Sequence, residues 1–428
     1  MFMNRLFLFF IRRKNMTRKD SRGYNLYVGE FQRKDGRYVY SYTDRMGQRH
    51  SIYKKTLVEL REAERKLKRD YDDGLDPSKS KNVAVNSMVE TYLDTKHNLK
   101  VTTKGTYVNV YKSYIKEDFG KMKIVDVKYS DIKKFYYGLI IERGLKATTV
   151  DHVHTVLRPA FQMAVRDGYI RTNPTDDVMA EIKRSKFWEK PDRKALTIDE
   201  QQAFMDIFRN NPEFRGWLPI ITVLLGTGMR IGECLAIRWD CIDFQNRIIH
   251  VNHTLSDRPD EFGDCSKRML PTKTAAGTRD IPMVQEVYDA FLMEYEFQNV
   301  LGFCDEEIDG FTGFVFCTGE HKALHPGAVN RAIHDAIDSY NEEEVLMAAD
   351  ENREPFLLPS ISAHILRHTF CTRLCENESN IKVIQAIMGH ADITTTMNIY
   401  AEATREKKQE VMMNLEGKII IRPERSDS

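Results

Sequence analysis

The sequence has no long hydrophobic run, no closely paired cysteines and almost no net charge. An apolar stretch at residues 6–11 is much shorter than the roughly 20 residues of a membrane span. Its cations follow it, whereas those of a secretory signal precede the apolar run. Seven cysteines without a C-x-x-C pair are typical of a reduced compartment. We therefore expect a cytoplasmic protein that does not cross a membrane, with its functional start at Met16.

The sequence also lacks an acidic cluster for metal binding, a glycine-rich nucleotide loop, internal repeats, coiled-coil heptads and low-complexity tracts. We expect neither a metal nor a cofactor. Any reaction on a phosphodiester would then depend on fixed cations and a side-chain oxygen.

The composition is that of a globular chain of two to four domains, since 42% of the 428 residues are hydrophobic and 30% are charged. A net charge of +1 neither marks nor excludes a nucleic-acid partner, because binding needs a basic face and not a basic total. Such a face is local here. Between residues 17 and 55 there are ten cations and only four acids.

The N-terminal pattern predicts a small sheet and one helix. Alternating runs at 24–32, 37–42 and 48–53 are separated by turn residues, which indicates a three-stranded antiparallel meander. Leucines at helical spacing predict a helix over 56–73 that ends at Gly74.

The remaining chain is predicted to be mainly helical. Apolar residues recur every three or four positions over 85–95, 103–119, 130–144 and 147–167, and Asn173-Pro174 is expected to end the last helix. A basic linker follows, and Thr197 and Glu200 form a capping box that starts another helix. Strands are expected at 247–252 and around 267–282, the run 314–317 is a candidate for one more, and helices continue from residue 284.

Four short segments of the C-terminal half carry the chemistry: TGMRIGECL with Arg230, HILRHTFCT with His364 and Arg367, IMGH with His390, and TTTMNIYAEAT with Tyr400. Two arginines can each offer paired donors to phosphate oxygens. A tyrosine hydroxyl, whose ordinary pKa is about 10, can attack phosphorus if it is deprotonated with electrostatic help.

This ordered set resembles the tyrosine recombinase (phage integrase) family, and the upstream domains are similar to those of conjugative-transposon integrases. The resemblance implies that Tyr400 forms a 3′-phosphotyrosine link while Arg230 and Arg367 bind the phosphate. It implies His364 as general base or orienter and His390 as a hydrogen-bond donor. The full implied set is Arg230, Lys273, His364, Arg367, His390 and Tyr400, supported by Glu233.

The leaving 5′-oxygen needs a proton, which the resemblance assigns to a lysine on a β-hairpin. Lys273 is the best candidate because Ala275-Ala276-Gly277 directly after it is typical of a hairpin turn. Lys267 is the second candidate, but no turn follows it at once.

The resemblance implies a multidomain α+β chain: a leader (1–16), an arm-type DNA-binding domain (17–76), a core-binding helical domain (83–183), a linker (184–194), a catalytic domain (195–416) and a tail (417–428). The tail either packs on its own domain or docks on a neighbouring protomer, which we favour.

The same resemblance implies a site-specific recombinase that integrates and excises a mobile element. Its partners would be double-stranded DNA at the element ends and target, three further copies in a homotetramer, and an excisionase as a candidate accessory protein. The expected DNA-binding cations are Arg33, Lys34, Arg37, Lys54, Lys100 and Lys104.

Two other activities fit the same chemistry. A type IB topoisomerase-like enzyme is disfavoured by the extra N-terminal domain and the tail, and a catalytically inactive DNA-binding regulator by the complete catalytic set. A zinc site at His364, His368 and His390 is disfavoured too, because no glutamate lies between the first two.

Overall fold

The computed structural model describes residues 18–44, 47–75, 82–189, 194–258, 262, 265–272 and 274–401. The chain divides near residue 190 into two compact units. Both contain helices and small antiparallel sheets, which confirms the predicted α+β class. The leader, Lys273 and the tail lie outside the described residues.

The first unit begins with five strands: β1 (Arg18–Lys19), β2 (Asn25–Leu26), β3 (Glu30–Gln32), β4 (Tyr38–Thr43) and β5 (Arg49–Lys54). β1 pairs with β2, and β3, β4 and β5 form an antiparallel sheet in that order. The prediction of one strand over 24–32 is therefore wrong. The chain turns at Gly29, whose φ is +90°, and the buried Glu30 carboxylate accepts the Tyr27 backbone N–H at 2.8 Å.

Helix α1 (Leu57–Asp72) confirms the predicted N-terminal helix and covers one face of this sheet. Leu60 packs against Tyr38, with Tyr40 and Ile52 beside them. The register places Phe31, Val39 and Tyr53 opposite one another, and residues paired in this way share the other face. That face is not covered by α1, and its two outer aromatic side chains are exposed.

The described residues after α1 form the helices α2 (Val85–Asp94), α3 (Val101–Val110), α4 (Tyr129–Ile141), α5 (Ala147–Arg166) and α6 (Val178–Arg184). A π-helical turn, Tyr111–Ile115, prolongs α3. Their shared core confirms the helical bundle. The expected helix end at Asn173-Pro174 is wrong, because α5 stops at Arg166 and Gly168 takes a φ of +75°. Asn173 instead shapes the following turn, where its Oδ1 accepts the Thr175 N–H at 3.0 Å.

The described residues of the second unit form the helices α7 (Ile198–Asn210), α8 (Leu218–Thr227), α9 (Ile231–Leu235), α10 (Gln285–Leu301), α11 (Pro326–Asp350), α12 (Ala363–Asn377) and α13 (Ile381–Met388), and residues 393–401 are also helical. The capping box of Thr197 and Glu200 at the start of α7 is confirmed. α8 is central and packs against α10 and α12.

Five short strands lie on the same unit: β6 (Ile242–Asp243), β7 (Ile248–Val251), β8 (His253–Ser256), β9 (Arg268–Pro271) and β10 (Arg279–Pro282). β10 pairs with β7, and β9 pairs with β8. The expected hairpin between β9 and β10 is therefore wrong, although Ala275–Gly277 does form a 3₁₀ turn. Met269 and Ile281 are both buried, and the pairing with β8 and β7 places them in the core.

The candidate strand at 314–317 is also wrong. Phe314 and Cys317 each make only an isolated bridge among the described residues, to Arg238 and Ala323. Phe314, Val315 and Phe316 are all buried, so three successive side chains of this run lie in the core. None of the helices in the described ranges is long and apolar enough to cross a membrane.

Candidate active site

The end of helix α13 is the centre of the site. Gly389 caps this helix in a left-handed conformation, with a φ of +63°. A Cβ added there would lie 2.8 Å from the Ala276 carbonyl oxygen, so only glycine fits. The last carbonyl groups of a helix have no partner within it and carry partial negative charge. Here three successive carbonyls, those of Ile387, Met388 and Gly389, each accept a hydrogen bond from a different arginine.

Arg367 is the most deeply buried of these arginines. It lies on α12, is 4% exposed, and donates from Nη2 to the Met388 oxygen at 2.7 Å. Its Nη1 donates to the oxygen of Gly228, the cap of α8, at 2.6 Å. Burial lowers the pKa of Arg367 to about 10, with Arg230 contributing. The guanidinium therefore remains charged at neutral pH.

Arg230 is held by the capping box at the start of α9. The Glu233 carboxylate accepts its backbone N–H at 3.0 Å and its Nη1 at 2.6 Å. Nη2 donates to the Gly389 oxygen at 3.3 Å. The side chain is nevertheless 40% exposed, so a ligand in solvent can reach it.

The third arginine, Arg279, was not predicted from the sequence. It starts β10 and donates to three elements: from Nε to the Ile387 oxygen at 2.7 Å, from Nη1 to Gly277 at 2.9 Å, and from Nη2 to Glu233 at 3.0 Å. The strand pattern of the sequence could have indicated that Arg279 faces the core. Arg279 lies two residues before the buried Ile281, and alternating residues of a strand share a face.

Glu233 is shared by two guanidinium groups. Burial alone would raise its pKa, but Arg279 and Arg230 hold the pKa of this carboxyl below its ordinary value. Arg230, Arg279, Arg367 and Glu233 together are therefore three cations and one anion. This excess of positive charge favours an anionic ligand.

His390 directly follows the Gly389 cap. It is 7% exposed, and its Nδ1 lies 2.9 Å from the hydroxyl oxygen of Thr396. Burial, together with the charges of Arg367 and Arg230, lowers the pKa of His390 to about 4. The imidazole is therefore neutral at neutral pH. His390 lies in the turn after α13, because the glycine cap ends this helix before it.

Tyr400 lies on the helix of residues 393–401, which we call the tyrosine helix. It is half-buried and packs on the cluster of Cys371, Cys375, Ile384 and Met388. The residue whose carbonyl accepts from Arg367, Met388, therefore belongs to the cluster against which Tyr400 packs. His364 lies one helical turn before Arg367 and is exposed.

Of the two lysine candidates for the general acid, the structure describes only Lys267. Lys273 lies outside the described residues. Lys267 donates from Nζ to Glu306 and to the Ala323 carbonyl oxygen, both at 2.7 Å. Because these two contacts hold its ammonium group, Lys267 has a structural role.

The six expected DNA-binding cations do not form one surface. Arg33 lies 5.7 Å from the centre of the Tyr53 ring on the open sheet face, and Arg33 and Arg37 both pair with Asp35. Lys54 is opposite Tyr38 in the register, which places it on the α1 side. Lys34 is exposed in a turn, and Lys100 and Lys104 lie at the start of α3. Within the described ranges, no group of three His, Cys, Asp or Glu side chains could hold a metal.

The lowered pKa of His390 predicts a pH-dependent stability. The unfolded chain binds this proton near pH 6.5 and the folded chain only near 4, so the free energy of unfolding falls as pH falls between these values. We expect the stability advantage of wild type over His390→Asn to shrink by about 3 kcal/mol between pH 7 and pH 4. Urea denaturation at several pH values measures this difference. The similar contribution of half-buried His154 is present in both proteins and cancels, and parallel pH curves would contradict the assignment.

Comparison with known proteins identifies three segments. The model of the phage integrase family matches residues 194–407, which is half of the chain. The DNA binding domain of Tn916 integrase matches residues 14–71, and the N-terminal SAM-like domain of phage integrases matches residues 85–140.

Relatives and solved structures agree with these matches. The chain is 29% identical to the transposase of transposon Tn916 from Enterococcus faecalis over 416 residues, which cover 93% of this chain and 96% of the relative. It is 24% identical to tyrosine recombinase XerC of Pediococcus pentosaceus, covering 76% and 95%.

Among solved structures, the Tn1549 transposon integrase in complex with a circular intermediate DNA is similar, with a TM-score of 0.65 and 27% identity over 76% of this chain and 99% of that one. A lambda integrase tetramer bound to a Holliday junction shares the fold, with a TM-score of 0.50 and 18% identity over 90% and 96%. The chain therefore belongs to the phage integrase family of tyrosine site-specific recombinases, as an integrase of the conjugative-transposon type.

Proposed function

We propose that this chain integrates and excises a mobile element by attack of Tyr400 on a DNA phosphate that Arg230 and Arg367 bind. One observation carries the proposal: both guanidiniums donate to consecutive carbonyls, those of Met388 and Gly389, and Tyr400 packs on the side-chain cluster to which Met388 belongs. Cleavage would leave a 3′-phosphotyrosine and a free 5′-hydroxyl. Rejoining reverses these bonds, so the link conserves the bond energy.

The charges of the site suit this step. Both terminal nitrogens of Arg367 donate to backbone carbonyls and not to carboxylates, so its full positive charge remains available. Arg230 shares Glu233 with Arg279, which leaves it only partly neutralised. Fixed cations that need no rearrangement stabilise the charge that develops on the non-bridging oxygens.

The two histidines take different roles in the proposal. His390 is neutral, so it donates a hydrogen bond to a phosphate oxygen without giving up a proton. His364 lies at the exposed start of α12, where it can accept or orient the phenol proton of Tyr400. Lys273 protonates the leaving 5′-oxygen.

Double-stranded DNA is the proposed substrate. In support, the Tn1549 integrase was solved in complex with DNA. Residues 17–76 would bind a separate DNA site through the open sheet face, with Phe31, Tyr53 and Arg33 in place of the expected Lys54. Residues 83–183 and 195–416 would both bind the crossover site. Cleavage of two sites then requires a homotetramer, with an excisionase as accessory protein.

Tyr400→Phe tests the nucleophile directly. It removes only the attacking oxygen, so we expect normal DNA binding and no covalent adduct on a nicked duplex that traps the intermediate. Denaturing gel electrophoresis with labelled DNA measures the adduct. Tyr340→Phe is a matched control, since Tyr340 is a half-buried tyrosine of the same unit, and it should form adduct as wild type does. Adduct formation by Tyr400→Phe would refute the assignment.

Lys273→Ala tests the general acid. We expect cleavage of an ordinary phosphate to slow by about 10²-fold and to recover with a 5′-thio leaving group, since a thiolate leaves without a proton. Lys267→Ala is the control: it breaks the ion pair with Glu306 and should lower thermal stability, with no rescue by sulfur. If sulfur rescues Lys267→Ala and not Lys273→Ala, the roles are reversed.

A further inference from the structure

Thr396 has no role in the mechanism above, yet it touches one of its residues. Its side chain is fully buried, and its hydroxyl oxygen lies 2.9 Å from Nδ1 of His390. Thr396 and Tyr400 are four residues apart on the tyrosine helix, so they lie about one turn apart on the same side.

This contact differs from the usual hydrogen bond of a helical threonine, whose hydroxyl donates to the carbonyl four residues earlier. Two other buried threonines of the same unit make that usual bond: Thr227 donates to the Val223 carbonyl oxygen at 2.6 Å and Thr369 to the Ile365 carbonyl oxygen at 2.9 Å. Thr396 instead joins the tyrosine helix to the turn after α13.

Because the His390 imidazole is neutral, the donor of its hydrogen bond with Thr396 can be assigned. A neutral imidazole has one N–H, on Nδ1 or on Nε2. If Nδ1 carried it, Nε2 would present a lone pair and could not donate to a phosphate oxygen. If the Thr396 hydroxyl donates to Nδ1, the proton is on Nε2, and that nitrogen becomes the donor that the reaction needs.

We propose that Thr396 is a positioning residue, which donates its hydroxyl proton to Nδ1 of His390 and so keeps the imidazole N–H on Nε2. This inference rests on the proposed function of His390. Because Thr396 and Tyr400 lie on one helix, any displacement of this helix moves both the residue that orients His390 and the nucleophile. His390 is thus a competent donor only when the tyrosine helix is seated.

The experiment compares the full-length variants Thr396→Val and Thr396→Ser. Nitrogen-15 NMR of labelled histidine reports which nitrogen of His390 carries the proton, and single-turnover cleavage of nicked DNA reports the rate. Valine has the same shape without the hydroxyl, so we expect a mixture of both tautomers and a rate about tenfold lower, the equivalent of one hydrogen bond. Serine should restore both properties. DNA affinity should not change.

Two further variants separate positioning from simple stability. Thr369→Val removes another fully buried threonine hydroxyl, so it should lower the melting temperature while the His390 tautomer stays single. Ile399→Gly weakens the packing of the tyrosine helix without touching His390 and should also mix the tautomers. A single tautomer in Ile399→Gly would overturn the dependence on helix seating.

The proposal is overturned if wild-type His390 carries its proton on Nδ1, or if Thr396→Val keeps both the Nε2–H tautomer and the wild-type rate. The tautomer is read without DNA and without catalysis. It therefore remains informative even if Tyr400→Phe were to form adduct and the proposed function failed.

Discussion

The site depends on the carbonyl end of one eight-residue helix, α13 (Ile381–Met388). Ile387, Met388 and Gly389 offer consecutive oxygens, and Arg279, Arg367 and Arg230 each occupy one of them. These arginines come from a strand, a helix and a helix start that are far apart in sequence. Partial negative charge at a helix end suits cations, and the left-handed Gly389 ends the helix before a further turn could use those carbonyls.

Backbone carbonyls hold the arginines without cancelling their charge. A carboxylate partner for each would have fixed them equally well, but it would have neutralised the site. In the part of the chain that the structure describes, one such carboxylate, Glu233, is shared between Arg230 and Arg279. Burial, together with the excess of cations, lowers the pKa of His390 and keeps the imidazole neutral, so it carries no charge of its own and retains one N–H to donate. Preorganised cations of this kind act on charge that appears only in the transition state.

Sequence patterns predicted what depends on local interactions. The capping box at Thr197 and the helix of Leu57–Asp72 follow from residues close together in the chain. The short segments around Arg230, Arg367, His390 and Tyr400 led to the family and to a site whose arginines and His390 share the end of α13. Contacts between distant segments were not predicted: Arg279 on Ile387, and the pairing of β9 with β8 in place of β10. Each is decided by tertiary packing, which no local spacing encodes.

The central claim is that Arg230 and Arg367 act as counter-charges to the phosphate. Replacing the scissile phosphate by a methylphosphonate removes its negative charge and tests this directly. Single-turnover cleavage of the two duplexes by wild type, Arg230→Ala and Arg367→Ala is the measurement. On the ordinary phosphate each variant should lose about 10²-fold or more in rate, and on the methylphosphonate the loss should be much smaller. An equal loss on both substrates would contradict the account and leave the arginines with a purely structural role.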